Sequence, residues 1–160
     1  MPVLYSWHNF LTRNALKQLL MKPIRALIID DDRDDRDILR QQFLDITQAI
    51  TFDEYATGDE ALKYLRSVKI NKAAHPDVIF LDLHMPGKTG LETLQVLKAD
   101  ADFANIPVVI ITTSLQKEEE RKCRAAGCTK YFSKPVTVDG YGYIINEAID
   151  LLVKHESVAV

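Results

Sequence analysis

Four short stretches of this chain hold residue types suited to metal and phosphate chemistry: Asp30-Asp31-Asp32, Asp82, Thr112-Thr113-Ser114 and Ser133-Lys134-Pro135. The first is the densest. In ALIIDDDRDDRDIL (residues 26–39) an apolar run stops at three consecutive aspartates, and Asp34, Asp35 and Asp37 follow among arginines. At neutral pH such carboxylates repel one another, so the cluster costs energy unless a cation or a basic side chain compensates. A hard divalent cation that takes oxygen ligands and keeps some water answers that need, and Mg²⁺ fits best. A carboxylate beside Mg²⁺ and a lysine ammonium is poised as a nucleophile toward a phosphoryl group, giving an aspartyl phosphate. Metal and ammonium neutralise the equatorial oxygens during transfer. A threonine hydroxyl can hydrogen-bond one of those oxygens.

That chemistry needs the four stretches side by side, and the elements before them bring this about. Apolar runs recur at Ala26–Ile29, Ile50–Tyr55, Val78–Leu81, Val108–Ile111 and Tyr131–Phe132. Several are β-branched and continuous rather than alternating, the mark of strands covered on both faces. Segments with helical spacing lie between and after them. Leu39, Phe43, Ile46 and Ile50 form one stripe; Ala61, Leu62, Leu65 and Val68 form another, opened by Gly58-Asp59-Glu60. Leu91, Leu94 and Leu97 start just after Gly90, Lys117–Ala126 stops at Gly127 as a C′ glycine, and Tyr141, Ile145, Ala148 and Leu152 close the series. Strand–helix alternation repeated in this way predicts an α/β fold, a doubly wound (βα)5 domain with a five-stranded parallel sheet, spanning Pro23 to His155. In such sheets ligands sit at the carboxyl ends of the strands, where strand order reverses. Every one of the four stretches follows a predicted strand, so they converge at one edge.

The totals agree with a single domain. A chain of 160 residues buries a core without disulfides. A net charge of −3 with scattered basic residues argues against nucleic acid as a partner. Cys123 and Cys128 form neither a C-x-x-C nor a zinc pattern and read as buried or half-buried reduced thiols of a cytoplasmic protein. No run approaches the ~18 apolar residues of a membrane span, and the N-terminus lacks a signal-peptide pattern.

The ordered set of motifs resembles the receiver domain of two-component response regulators, a flavodoxin-like fold. DVIFLDLHMPGKTG (residues 77–90) is similar to that family's phosphoacceptor strand and loop, IPVVIITTS (residues 106–114) to its switch strand, and YFSKPV (residues 131–136) to its Lys-Pro turn. The wording is most similar to stand-alone regulators paired with phytochrome-like or other sensor kinases. The resemblance implies that Asp82 is the phosphoacceptor, that Asp31 binds Mg²⁺ directly and Asp30 through metal-bound water, and that His84 offers its backbone carbonyl. It implies Thr112 as the switch hydroxyl, Lys134 as the family's lysine, Tyr131 as an aromatic that swings inward on activation, and a cis Lys134–Pro135 bond. His84 and Ser114 stand where the family tunes hydrolysis of the phosphoryl group. The implied function is a single-domain phosphoprotein rather than an enzyme. A sensor histidine kinase or phosphotransfer protein would load it, and it would signal by protein contact, without nucleic acid or membrane, as monomer or homodimer.

Two other readings use the same residues. A Mg²⁺-dependent phosphohydrolase also forms an aspartyl phosphate, but it would want a second acid two residues past the nucleophile, where this chain has His84, and more chain for a cap. A non-phosphorylated pseudo-receiver would have a damaged pocket. Plainer roles are expected for Asp32, Asp34, Asp35 and Asp37, which suit a helix N-terminus, where negative charge is favoured by roughly 0.3–1 kcal/mol each. His8, His75 and His155 read as loop or terminal residues. Residues 1–22 lie outside the family pattern: Trp7, Leu11, Ala15 and Leu19 have helical spacing, so this extension is either an amphipathic helix or a dispensable arm, with Met21 a second candidate start. Residues 156–160 form a tail.

Overall fold

The computed structural model describes residues 23–71 and 73–158. The expectations for residues 1–22, Met21 included, lie outside the described residues. Five strands, β1 (Ile24–Ile29), β2 (Ile50–Tyr55), β3 (Val78–Leu81), β4 (Val108–Thr112) and β5 (Lys130–Ser133), form one sheet in the order β2-β1-β3-β4-β5. Every pairing is parallel. Helices α1 (Arg33–Leu44), α2 (Gly58–Ile70), α3 (Gly90–Ala99), α4 (Lys117–Ala125) and α5 (Tyr141–Val158) connect and flank the strands, with a short 3₁₀ turn at Val138–Gly140.

The continuous apolar strands are explained by two cores, one on each face. Ala26, Ile28, Val78, Phe80, Val109 and Ile111 pack under α1 and α5. The alternate residues Leu27, Ile29, Ile79, Leu81, Val108 and Ile110 pack under α2, α3 and α4. A strand buried on both sides has no position for a polar side chain until it ends. The first polar residues after β1 and β3 therefore fall at the carboxyl edge of the sheet.

Helix boundaries follow local chemistry. Asp32 caps α1, its carboxylate accepting from the Asp34 and Asp35 amides. Thr89 and Glu92 form a capping box on α3. Helix α4 ends in a Schellman motif: Gly127 sits at φ 94°, its amide bonds the Arg124 carbonyl, and the Cys128 amide bonds the Cys123 carbonyl. The stripe Leu39, Phe43, Ile46, Ile50 is only half helical. The helix stops at Leu44, Ile46 is exposed, and Ile50 opens β2. The Thr47 hydroxyl accepts from the Ala49 amide, a local turn that competes with another helical residue. Both cysteines are free, Cys123 buried and Cys128 half-buried. No described helix is long and apolar enough to cross a membrane.

Candidate functional site: carboxylates and a lysine at the carboxyl edge

Strand order reverses between β1 and β3, and the site begins there. The Asp82 amide donates to the Ile29 carbonyl at 2.9 Å, and the Asp30 amide to Tyr55 at 3.1 Å. The ladder thus runs one residue past each strand and sets Asp30 beside Asp82. Both continue the phase of Ile28 and Phe80, toward α1 and α5. Arg36 of α1 braces the turn by donating to the Asp30 carbonyl at 2.5 Å. On the other side α3 comes very close. A Cβ at Gly90 would overlap the Asp82 carbonyl and lie 2.7 Å from the Leu83 Cα, so the Asp82 turn can pack there only against glycine.

Oxygen atoms of Asp30, Asp31 and Asp82 all lie within 4.8 Å of one another. Asp30 and Asp82 are buried, while Asp31 is exposed. The Lys134 Nζ stands 2.8 Å from Asp30 Oδ2 and 3.9 Å from Asp82 Oδ2, with its side chain only 10% exposed. Burial pushes the Asp30 carboxyl up to about 6 despite Lys134, and burial likewise raises Asp82 against the pull of the same lysine. Burial also works against the Lys134 ammonium. Its bonds to Asp30 and Asp35 outweigh that cost and hold it above the ordinary lysine range. Asp82 Oδ1 is buried without a hydrogen-bond partner among the described residues. A hard cation fits this set: the donors are all oxygen, they carry excess negative charge, and one buried lone-pair bearer is unsatisfied.

Thr112 ends β4 in phase with Val108 and Ile110, so it faces α4 rather than α1. It is fully buried. Its hydroxyl receives the Ser114 amide at 3.2 Å and lies 3.4 Å from Nδ1 of His84. The other ring nitrogen of His84 lies 3.3 Å from Glu119 of α4. The Ser114 hydroxyl in turn receives the Gln116 amide, so Ser114 is a turn residue here. Tyr131 stands apart from the acids. Its ring packs on the core under α2, α3 and α4, and its hydroxyl is buried without a hydrogen-bond partner among the described residues.

Two expectations need correction. The Lys134–Pro135 bond is trans, as are the other described peptide bonds. Trans is the intrinsic preference of X–Pro by about 0.5–1 kcal/mol, and with it the Lys134 amide reaches the Thr112 carbonyl at 2.7 Å while its side chain reaches Asp30. Asp35 is more than a first-turn charge on α1. Its Oδ2 lies 2.7 Å from Lys134 Nζ, and its Oδ1 accepts from the Tyr141 hydroxyl at 3.3 Å. The signal was in the spacing: Asp35, Leu39 and Phe43 are four apart, so Asp35 extends the buried stripe of α1 to the sheet edge. Glu119 was missed too, and nothing in the polar run of α4 singles it out.

Residues 26–141 match the response regulator receiver domain family. The chain belongs to that family. It is 34% identical over 107 residues to the polar-differentiation response regulator DivK of Brucella ovis, covering 66% of this chain and 82% of DivK. Among solved structures it resembles the phosphorylated cyanobacterial phytochrome response regulator RcpA (TM-score 0.74, 24% identity, 81% of this chain and 94% of that one). It also resembles the Mn²⁺-bound form of response regulator Rcp1 (TM-score 0.70, 23% identity, 78% and 91%). At these identities the two structures bear on fold alone, and that fold is the flavodoxin-like receiver fold. The family is the signalling module of two-component phosphorelay systems.

Proposed function

We propose that this receiver accepts a phosphoryl group on Asp82 from a phosphohistidine of a sensor kinase or phosphotransfer protein. A carboxylate oxygen of Asp82 attacks phosphorus, the N–P bond breaks, and its electron pair returns to the donor imidazole, which then takes up a proton. Asp30, Asp31 and Asp82, with the His84 carbonyl, would hold Mg²⁺. Bound there, the ion supplies charge neutralisation for the carboxylates and the phosphoryl oxygens. Lys134 contributes a buried ammonium on the other flank of Asp82 and stabilises the same developing charge.

The added group brings a charge of about −1.5 to −2. It draws the Thr112 hydroxyl away from His84 and Ser114, and the space released near β5 lets Tyr131 settle further inward. Both arrangements pre-exist and the phosphoryl group biases their balance. The receiver unit, residues 23–155, then signals through the surface of α4, β5 and α5 by protein contact, with no nucleic acid and no outside substrate, residues 1–22 and 156–160 serving as extension and tail. A DivK-like regulator and the Mn²⁺-bound Rcp1 are compatible with this reading. The observation that carries it is the meeting of three carboxylates within 4.8 Å and one buried lysine at the strand-order reversal.

Intact mass after incubation with Mg²⁺ and acetyl phosphate tests it. A single phosphoryl adduct is expected, lost in Asp82→Asn. Turnover of many phosphate esters would support a hydrolase instead, and no adduct in any condition a pseudo-receiver.

A further inference from the structure

The Lys134 ammonium has two close carboxylates, and neither is Asp82. Asp30 Oδ2 lies at 2.8 Å and Asp35 Oδ2 at 2.7 Å, while Asp82 Oδ2 is at 3.9 Å, beyond hydrogen-bond range. Asp35 comes from the first turn of α1 and is held from behind by the hydroxyl of Tyr141, the first residue of α5, itself 3% exposed. Asp35, Asp30, Asp82, Lys134 and Tyr141 line one water-sized cavity. A third carboxylate on the lysine is not needed for neutrality, because Asp30 and Asp82 already outnumber the ammonium. Its geometric effect is to draw Nζ toward α1.

We propose that Asp35, oriented by Tyr141, is a positioning residue that holds Lys134 back from Asp82 in the unmodified protein and yields it when a phosphoryl oxygen arrives. This rests on the phosphoryl-transfer reading of Asp82. In the resting state Lys134 bridges β5, α1 and, through Asp35, α5. When Asp82 carries a phosphoryl group, the ammonium exchanges its Asp35 bond for one to a phosphoryl oxygen. Asp35 and Tyr141 then keep only each other. The exchange slows loading, since the bond to Asp35 must stretch before the lysine can serve the transition state. It also ties the state of Asp82 to the α1–α5 packing.

Two variants test it, Asp35→Asn and Tyr141→Phe. A crystal structure of unmodified Asp35→Asn should show Lys134 Nζ within about 3.2 Å of an Asp82 oxygen. With Mg²⁺ and acetyl phosphate, Asp35→Asn should load about three- to ten-fold faster than the parent, and Tyr141→Phe should lie between. Nζ remaining at its present distance from Asp82, with loading rates within two-fold of the parent in both variants, would make Asp35 a brace only and overturn the proposal. Should Asp35→Asn fail to fold, Tyr141→Phe decides by the same readouts. If the parent takes no adduct, the phosphoacceptor reading fails, yet the Nζ–Asp82 distance in the variants still decides whether Asp35 holds the lysine.

Discussion

Lys134 and Asp30 face each other across 2.8 Å, one from the end of β5 and the other from the end of β1. Two strands lie between them in the sheet. The pair therefore spans the strand-order reversal, with Asp82 beneath the bridge. Both side chains are largely buried beside each other, and each charge would be costly to hide alone. The strain of crowding acids at this edge is relieved in part by Lys134, and the remainder favours a cation.

Replacing Lys134 by methionine keeps most of the side-chain volume and deletes the charge. Asp30, Asp35 and Asp82 are then left without their ammonium in a largely buried setting. Stability at pH 7 should fall by about 3 kcal/mol. The loss should shrink toward pH 5, as Asp30 and Asp82, already raised by burial, take up protons more readily. Urea denaturation of parent and variant at the two pH values measures both effects. Equal destabilisation at both would mean that the ammonium acts through packing alone.

The opposite sign is expected for Asp82→Asn. Its carboxyl is raised by burial, so the ionised form at pH 7 costs stability relative to the unfolded chain. A raised carboxyl stabilises most below its unfolded pKa, and that contribution is gone once pH has risen through the folded value. The amide carries no such cost, and it can donate a hydrogen bond inside the pocket. Without divalent cation at pH 7 the variant should be more stable than the parent, by an amount set by how far burial raises the Asp82 carboxyl. A shift in the urea midpoint at unchanged slope reads this directly. The same variant should gain much less from added Mg²⁺ than the parent.

The inner strands β1, β3 and β4 were legible in the sequence as continuous apolar runs that end in polar residues, because burial on both faces leaves no other pattern; the half-buried, mixed β2 and β5 were legible from their place in the strand–helix alternation, which also set Asp30, Asp82, Thr112 and Lys134 at one edge. The helix end at Leu44 was not readable, since Ile46 and Ile50 keep helical spacing while a Thr47 turn interrupts the chain. The role of Asp35 was half legible: its spacing from Leu39 and Phe43 placed it on the buried face of α1 but named no partner. An acid in a first turn is favoured by the helix dipole anywhere, and only the placement of β5 shows which first-turn acid meets a lysine ninety-nine residues away. His84 to Glu119 joins a loop and a helix whose separation no local pattern encodes.

Divalent-cation affinity should depend steeply on pH. Mg²⁺ binds the ionised carboxylates, and Asp30 titrates at about 6 in the metal-free protein. Binding must displace that proton. Between pH 7.5 and pH 6.5 the affinity should change little on this account. Below 6 it should fall about ten-fold per unit for the one proton. The sign for folding is the reverse: Asp30 stabilises the metal-free fold most below 3.8, and that contribution is lost as pH rises through about 6. Titration calorimetry with Mg²⁺ at several pH values, in buffers of different ionisation enthalpy, gives both the affinity and the proton released. A flat affinity from pH 7.5 to 5 would remove Asp30 from the metal site.

Gly90 is where the fold and the site meet most tightly. The Gly90 amide bonds the Leu83 carbonyl at 3.0 Å, and Thr89 caps α3 in front of it. Any Cβ at this position collides with backbone on the Asp82 turn, which cannot swing aside as a flexible side chain would. Gly90→Ala should therefore push α3 away from β3, and two consequences separate this from an ordinary helix substitution. In an unconstrained helix the change would stabilise by roughly 0.4–1 kcal/mol; here it should destabilise by about 1–3 kcal/mol, the range of an overpacked core. The shift of the Asp82 turn should also weaken Mg²⁺ binding, although Gly90 offers no ligand. Thermal denaturation and a Mg²⁺ titration of the same variant measure the pair. A stable variant with parental Mg²⁺ affinity would show that the turn has slack that the close approach of Gly90 to Asp82 denies.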